Sequence, residues 1–163
     1  MKKSFKIVAV IVVVIIVVSC AIATDSRKKQ DFHGVEYKLR ESWLKTYNTK
    51  ASNNNLRVYV PNQKKTDTLW IYYIETDKTA TDEIENLMPF DDDYKIENQK
   101  TEKIHGNNVS IYDVSGYNGL TVQKIAVANG ENGLVIFCHN YDADEMFPET
   151  KETEKIISSI SIK

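Results

Sequence analysis

Apolar residues fall along this chain in three rhythms. The first is unbroken: Ile7 to Val18 puts twelve apolar side chains in a row. The second alternates. Val35-Glu36-Tyr37-Lys38-Leu39 and Leu56-Arg57-Val58-Tyr59-Val60 exchange apolar and polar positions, the period of a half-buried strand. The third recurs at three and four. Ile84, Leu87 and Met88 share a helical face, Asp82, Glu83 and Glu85 suit its amino end, and Pro89 closes it. Phe147-Pro148 opens a last helix, in which Thr153, Ile156, Ile157 and Ile160 form one buried face. Ser161-Ile162-Lys163 is a short terminal extension.

Further strands are predicted over residues 69–74, 94–104, 109–114, 120–128 and 134–139. Turn residues separate them at Asn53-Asn54-Asn55, Gly106-Asn107-Asn108, Asn118-Gly119 and Asn129 to Gly133, the last a hairpin by its Asn-Gly signals. Strands joined this way pair antiparallel. Yet Leu69 to Ile74 (LWIYYI) and Leu134 to Cys138 (LVIFC) do not alternate, so the central strands must be covered on both faces. The helices are expected to supply that cover. The predicted fold class is α+β: an antiparallel sheet flanked by helices on both faces, an α/β/α sandwich. The predicted organisation is residues 1–24 as signal peptide or membrane anchor, 25–33 as a polar tether and 34–163 as a single domain.

The amino terminus sets the compartment. MKKSFK is a basic n-region, and the twelve-residue run suits an h-region. Val17-Val18-Ser19-Cys20 resembles the lipobox of bacterial lipoproteins, whose cysteine is acylated, and Cys20 is the candidate lipidation site. Two alternatives stand beside it. The uncharged stretch from Ile7 to Thr24, 18 residues, reaches the lower limit for a spanning helix. Ala21-Ile22-Ala23 offers a small-x-small site for ordinary cleavage. Basic residues flank the run on both sides, so the positive-inside rule does not choose. All three readings put the body outside the cytoplasm, lipid-anchored, helix-anchored or released.

The chain has 163 residues and a net charge of −2. Lys2, Lys3 and Lys6 are the only charged side chains among the first 24, so the remainder carries 18 basic and 23 acidic residues, net −5. A mildly acidic body is a poor nucleic-acid binder.

Gly34-Val35-Glu36-Tyr37-Lys38-Leu39 followed by Trp43 resembles the opening strand and tryptophan of PsbP-like domains. Lys103-Ile104-His105-Gly106-Asn107-Asn108-Val109 is similar to their hairpin before a long strand, and Ile156-Ile157-Ser158-Ser159-Ile160 to their closing helix end. The bacterial envelope lipoprotein DcrB belongs to the same structural group. The resemblance spans residues 34–163. It implies an α/β/α sandwich, no shared catalytic site, and a role in binding or assembly.

Candidate chemistry is sparse. Cys138 and His139 are adjacent, and neighbours in a strand point to opposite faces, so they cannot form a dyad with each other. With Cys20 in the leader, Cys138 has no disulfide partner and reads as a buried thiol. His33, His105 and His139 lack metal-ligand spacing. Asn140, Asp142 and Asp144 match the first ligands of a calcium loop, but Glu145 stands at the glycine position and Lys151 at the final acid. Asp91-Asp92-Asp93 reads as a solvated loop, with a weak cation site as its alternative. Tyr72, Tyr73, Tyr112, Tyr117 and Tyr141 could line a contact surface or simply pack in strands. No catalytic residue, metal or cofactor is assigned. Two functions are expected: a membrane-tethered binding or assembly module with an envelope protein partner or, alternatively, a small envelope hydrolase with an unfamiliar site.

Overall fold

The apolar run Leu134–Cys138 forms the middle of the structure because both of its faces are covered. The computed structural model describes residues 26–45, 54–60, 68–87, 95–116, 121–140 and 150–163. In chain order these form β1 (Arg27–Phe32), β2 (Val35–Arg40), α1 (Glu41–Lys45), β3 (Leu56–Tyr59), β4 (Thr68–Glu75), α2 (Ala80–Leu87), β5 (Lys95–Ile104), β6 (Asn107–Ser115), β7 (Thr121–Asn129), β8 (Gly133–Asn140), α3 (Thr150–Ile157) and β9 (Ser161–Ile162). The larger sheet has the order β3-β4-β8-β7-β6-β5, and the smaller β1-β2-β9. All of the strand pairs are antiparallel.

Strand β8 pairs with β4 and β7, and its residues Leu134 to His139 are all buried. Its alternate side chains feed two cores. Val135 and Phe137 enter one with Val35, Tyr37 and Leu39 of β2, Trp43 of α1, and Ile156, Ile157 and Ile160 of the closing segment. Leu134, Ile136 and Cys138 enter the other with Tyr112, Val114, Ile125, Val127 and Ile84 of α2. Gly133 begins β8 where a Cβ would sit 2.0 Å from the Ile74 carbonyl oxygen, so a side chain there would force the strands apart.

Two hairpins turn on the same dipeptide. His33-Gly34 joins β1 to β2, and His105-Gly106 joins β5 to β6. Both residues of each pair have positive φ, 48° and 79° in the first and 48° and 85° in the second. That geometry matches the strand twist in a two-residue turn, and glycine supplies it without a Cβ penalty.

The expected α/β/α sandwich with helices on both faces is not what forms. The chain is mostly antiparallel sheet, in two sheets, and the three helices among the described residues are only five, eight and eight residues long. One face of the large sheet is covered by the second sheet together with α1 and the closing segment. The misreading began at RKKQDF, residues 27–32, which was expected to lie in a tether. It is strand β1, paired residue for residue from Arg27↔Arg40 to Phe32↔Val35. Only Phe32 of the six is buried, so an edge strand of this kind leaves no apolar rhythm to detect.

Ion pairs hold β1 where apolar contact does not. Arg27 donates two hydrogen bonds to Glu152 of α3, at 2.9 and 2.6 Å, and Arg40 Nε lies 2.9 Å from the same carboxylate. Glu152 thus sits between two arginines that face each other across the sheet, relieving a like-charge pair. At the other end of β1, Lys163 pairs with Asp31.

Candidate functional site

Among the described residues, a concavity lies between α3 and the edge of the large sheet. It is a groove of about 480 Å3 whose walls include Ile104, Ile111 and Ile157, with Lys100, Lys103, Lys124, Glu102 and Glu154 around them. Strand β5 makes one wall because it is the edge of the large sheet and carries only one buried residue, Ile104. Its sequence, KIENQKTEKI, is charged at Lys95, Glu97, Lys100, Glu102 and Lys103 and interrupted by a bulge between Ile96 and Asn98. Both features discourage edge-to-edge aggregation. Lys124 is tied to its cross-strand neighbour Asp113 at 2.9 Å, and Lys100 to Glu102 at 2.6 Å. The hydrogen bond that Lys100 donates to Glu102 raises the Lys100 pKa, keeping it cationic.

His105 stands between this groove and a second one of about 360 Å3, lined also by Lys29, Glu36, Lys38, Ser159 and Ser161. Its Nε2 donates to the Ser158 carbonyl at 3.1 Å, pinning the hairpin tip to the end of α3. The combined surface carries cations and carboxylates beside an apolar floor, and in the second groove the Ser161 hydroxyl donates to Glu36 at 3.5 Å, a long bond.

The residues singled out from sequence are dispersed. Cys138 is buried in one core and its thiol pKa is raised to about 12 by burial, which disfavours the thiolate. His139 faces the opposite core, hydrogen-bonded through Nδ1 to Thr153 and edge-on to Trp43 at 5.4 Å. Burial lowers its pKa to about 4. His33 lies at a different hairpin tip from His105, donating to the Asn54 carbonyl at 2.7 Å and stacked on Tyr73 at 3.6 Å. Tyr112 is fully buried and offers no contact surface, whereas Tyr72 and Tyr73 are half-buried. Asn140 accepts from Gln123 and donates to Thr68 at the end of β8. Among the described residues no group of three His, Cys, Asp or Glu side chains could hold a metal, and no helix is long and apolar enough to cross a membrane. Cys20, Asp91–Asp93, Tyr117, Tyr141, Asp142, Asp144 and Glu145 lie outside the described residues.

Sequence reading missed the groove itself. Its signal is the length of β5, ten residues almost without apolar positions, next to a helix that buries only one face.

The fold has a counterpart among solved structures. The solution structure of cyanobacterial PsbP (CyanoP) from Synechocystis sp. PCC 6803 is similar, with a TM-score of 0.53 and 16% identity over 87% of this chain and 94% of that one. The fold is PsbP-like. At this identity the likeness is one of architecture alone. No family model matches the chain, and no curated protein does.

Proposed function

We propose that the chain is a membrane-held, extracytoplasmic binding or assembly module that grips an envelope protein without catalysis of its own. The observation that carries this reading is the groove between α3 and β5, where charges of both signs surround an apolar floor at an exposed edge. Such a surface suits a protein segment bearing both apolar and charged side chains, since rim charges set register and an apolar floor gives affinity. The basic n-region, the apolar run and Cys20 support the export and anchoring. A short anchor would raise the effective concentration of the domain beside a membrane-bound partner. The PsbP-like fold accords with a binding role.

Crosslinking in intact cells, followed by identification of the captured proteins, tests the reading. A reproducible partner should be lost when Lys100→Glu and Lys103→Glu are combined, because neither lysine supports the core. Turnover of a substrate by the purified protein, abolished by a point mutation that leaves the fold intact, would sink it. Labelling with a palmitate analogue, lost in Cys20→Ala, tests the anchor. Recovery of all the protein in the soluble extracellular fraction would refute anchoring.

A further inference from the structure

On another side of the molecule, the open edges of the two sheets face each other. Strand β1 closes the small sheet and β3 the large one. Between them lies a cleft of about 310 Å3 lined by Gln30 of β1, Leu44 of α1, and Arg57 and Tyr59 of β3. The Arg57 guanidinium lies over the Phe32 ring, 4.7 Å from its centroid. Its Nη1 donates to the Tyr37 hydroxyl at 3.5 Å, a long bond, and that hydroxyl lies 3.2 Å from the Tyr59 hydroxyl. Ring and hydroxyls thus fix the guanidinium plane at the mouth of the cleft. Among the described residues no carboxylate pairs with Arg57.

We propose that this cleft binds a carboxylate, with Arg57 as the recognising group. A half-buried guanidinium over a ring has part of its lost hydration replaced by the cation–π contact. Its remaining N–H groups form a planar fork, which matches two carboxylate oxygens. The Gln30 amide can donate alongside, and Leu44 can cover an aliphatic stem. Among the described residues Arg57 is the one cation lining the cleft, and one negative charge balances it. Against that cation a phosphate dianion would bring an excess charge. The carboxylate can come from a free small acid or from an acidic side chain of a protein partner. This site goes beyond the binding role assigned to the α3–β5 groove and does not depend on it.

The test is a titration of the full-length chain in zwitterionic micelles, following the Arg57 Nε–H resonance. The probes are acetate, a blocked peptide with one glutamate, and inorganic phosphate. Saturable shifts with acetate alone assign a small acid, and shifts with acetate and the peptide, or with the peptide alone, assign a protein side chain. Arg57→Lys, followed instead through the Gln30 side-chain amide resonances, should weaken binding about tenfold through loss of a charge-assisted hydrogen bond. No saturable shift with either carboxylate, or equal binding of phosphate, would overturn the proposal. If Arg57→Lys does not fold, Leu44→Glu against Leu44→Gln decides. The glutamate variant should melt at the higher temperature at pH 7, with the gap closing as pH falls through the carboxyl range; equal midpoints at pH 7 would overturn it.

Discussion

The two faces of the large sheet are built by different means. Beneath the small sheet, the core admits polar groups: His139 with Thr153, Tyr37 with Tyr59, and Glu152 between its two arginines at the margin. Beneath α2, the core is more aliphatic, with the Cys138 thiol and the Tyr112 hydroxyl, 3.3 Å from that of Thr81, among its few polar groups, and half-buried Trp70, Tyr72 and Ile74 flank it. The difference follows from the covering element. Strand β1 has too little apolar surface to bind by burial, so directional bonds hold it. Helix α2 presents Ile84 for burial, and Thr81 adds hydrogen bonds with Tyr112 and Gln99 at its margin. Polar groups buried in pairs define a single arrangement more sharply than apolar contact does, but each is expensive to leave half-made.

Truncation on neighbouring β8 positions probes the two faces separately. Phe137 packs edge-on against Tyr37 at 5.1 Å, so Phe137→Ala should remove about 3–5 kcal/mol, measured by chemical denaturation. Equal sensitivity at Ile136→Ala, on the opposite face, would erase the contrast between the two cores. Glu152→Gln should also lose about 3–5 kcal/mol, because both arginines keep their charges without the carboxylate. Hydrogen exchange should then accelerate in β1 before it does in β8. Uniform acceleration across the chain would mean that β1 is not held independently.

The sequence made one face legible and hid the other. The apolar run LVIFC correctly demanded cover on both sides, whereas LWIYYI buries Leu69 and Ile71 and leaves its Trp70, Tyr72 and Ile74 face half-covered, and the 3.6-residue period located α2 and α3. The nature of the cover was not legible. Residues 27–32 look polar because an edge strand on a small sheet buries one residue and holds itself with Arg27 and Asp31, whose partners, Glu152 and Lys163, are over a hundred residues away. No local pattern encodes such a pair. The candidate site was illegible for a related reason. Lys100, Lys124 and Glu154 come from three elements and converge only after the sheet edge and α3 are assembled. Opposed faces for Cys138 and His139 were legible, since strand alternation alone dictates them.

The polar face should also carry a pH signature. Burial holds the His139 pKa near 4, below the ordinary value of 6.5, so the folded state binds its proton less readily than the unfolded chain. Its contribution is complete above pH 6.5 and is lost as pH falls through about 4. The loss approaches about 3 kcal/mol, an order-of-magnitude figure at 1.36 kcal/mol per pKa unit. Denaturation midpoints at pH 7 and pH 4 should therefore differ more for the natural chain than for His139→Gln. Equal pH slopes in the two would show that the imidazole is not the group responsible.

The apolar face makes the smallest prediction. Cys138 lies among Tyr112, Ile125 and Ile136, and its pKa of about 12 leaves almost no thiolate at neutral pH. A native thiol reagent should modify it only through opening of the fold, at a rate that rises with denaturant. Cys138→Ala should lower stability by about 1 kcal/mol, because the sulfur fills space there but makes no directional contact that the site requires. The pH slope set by His139 should survive that substitution, since the two side chains occupy opposite faces of one strand. Rapid labelling in the native state would show that α2 lifts from the sheet on its own, and the apolar face would then be the mobile one. A loss well above 1 kcal/mol would instead show that close packing around the sulfur, and not burial alone, holds α2 in place.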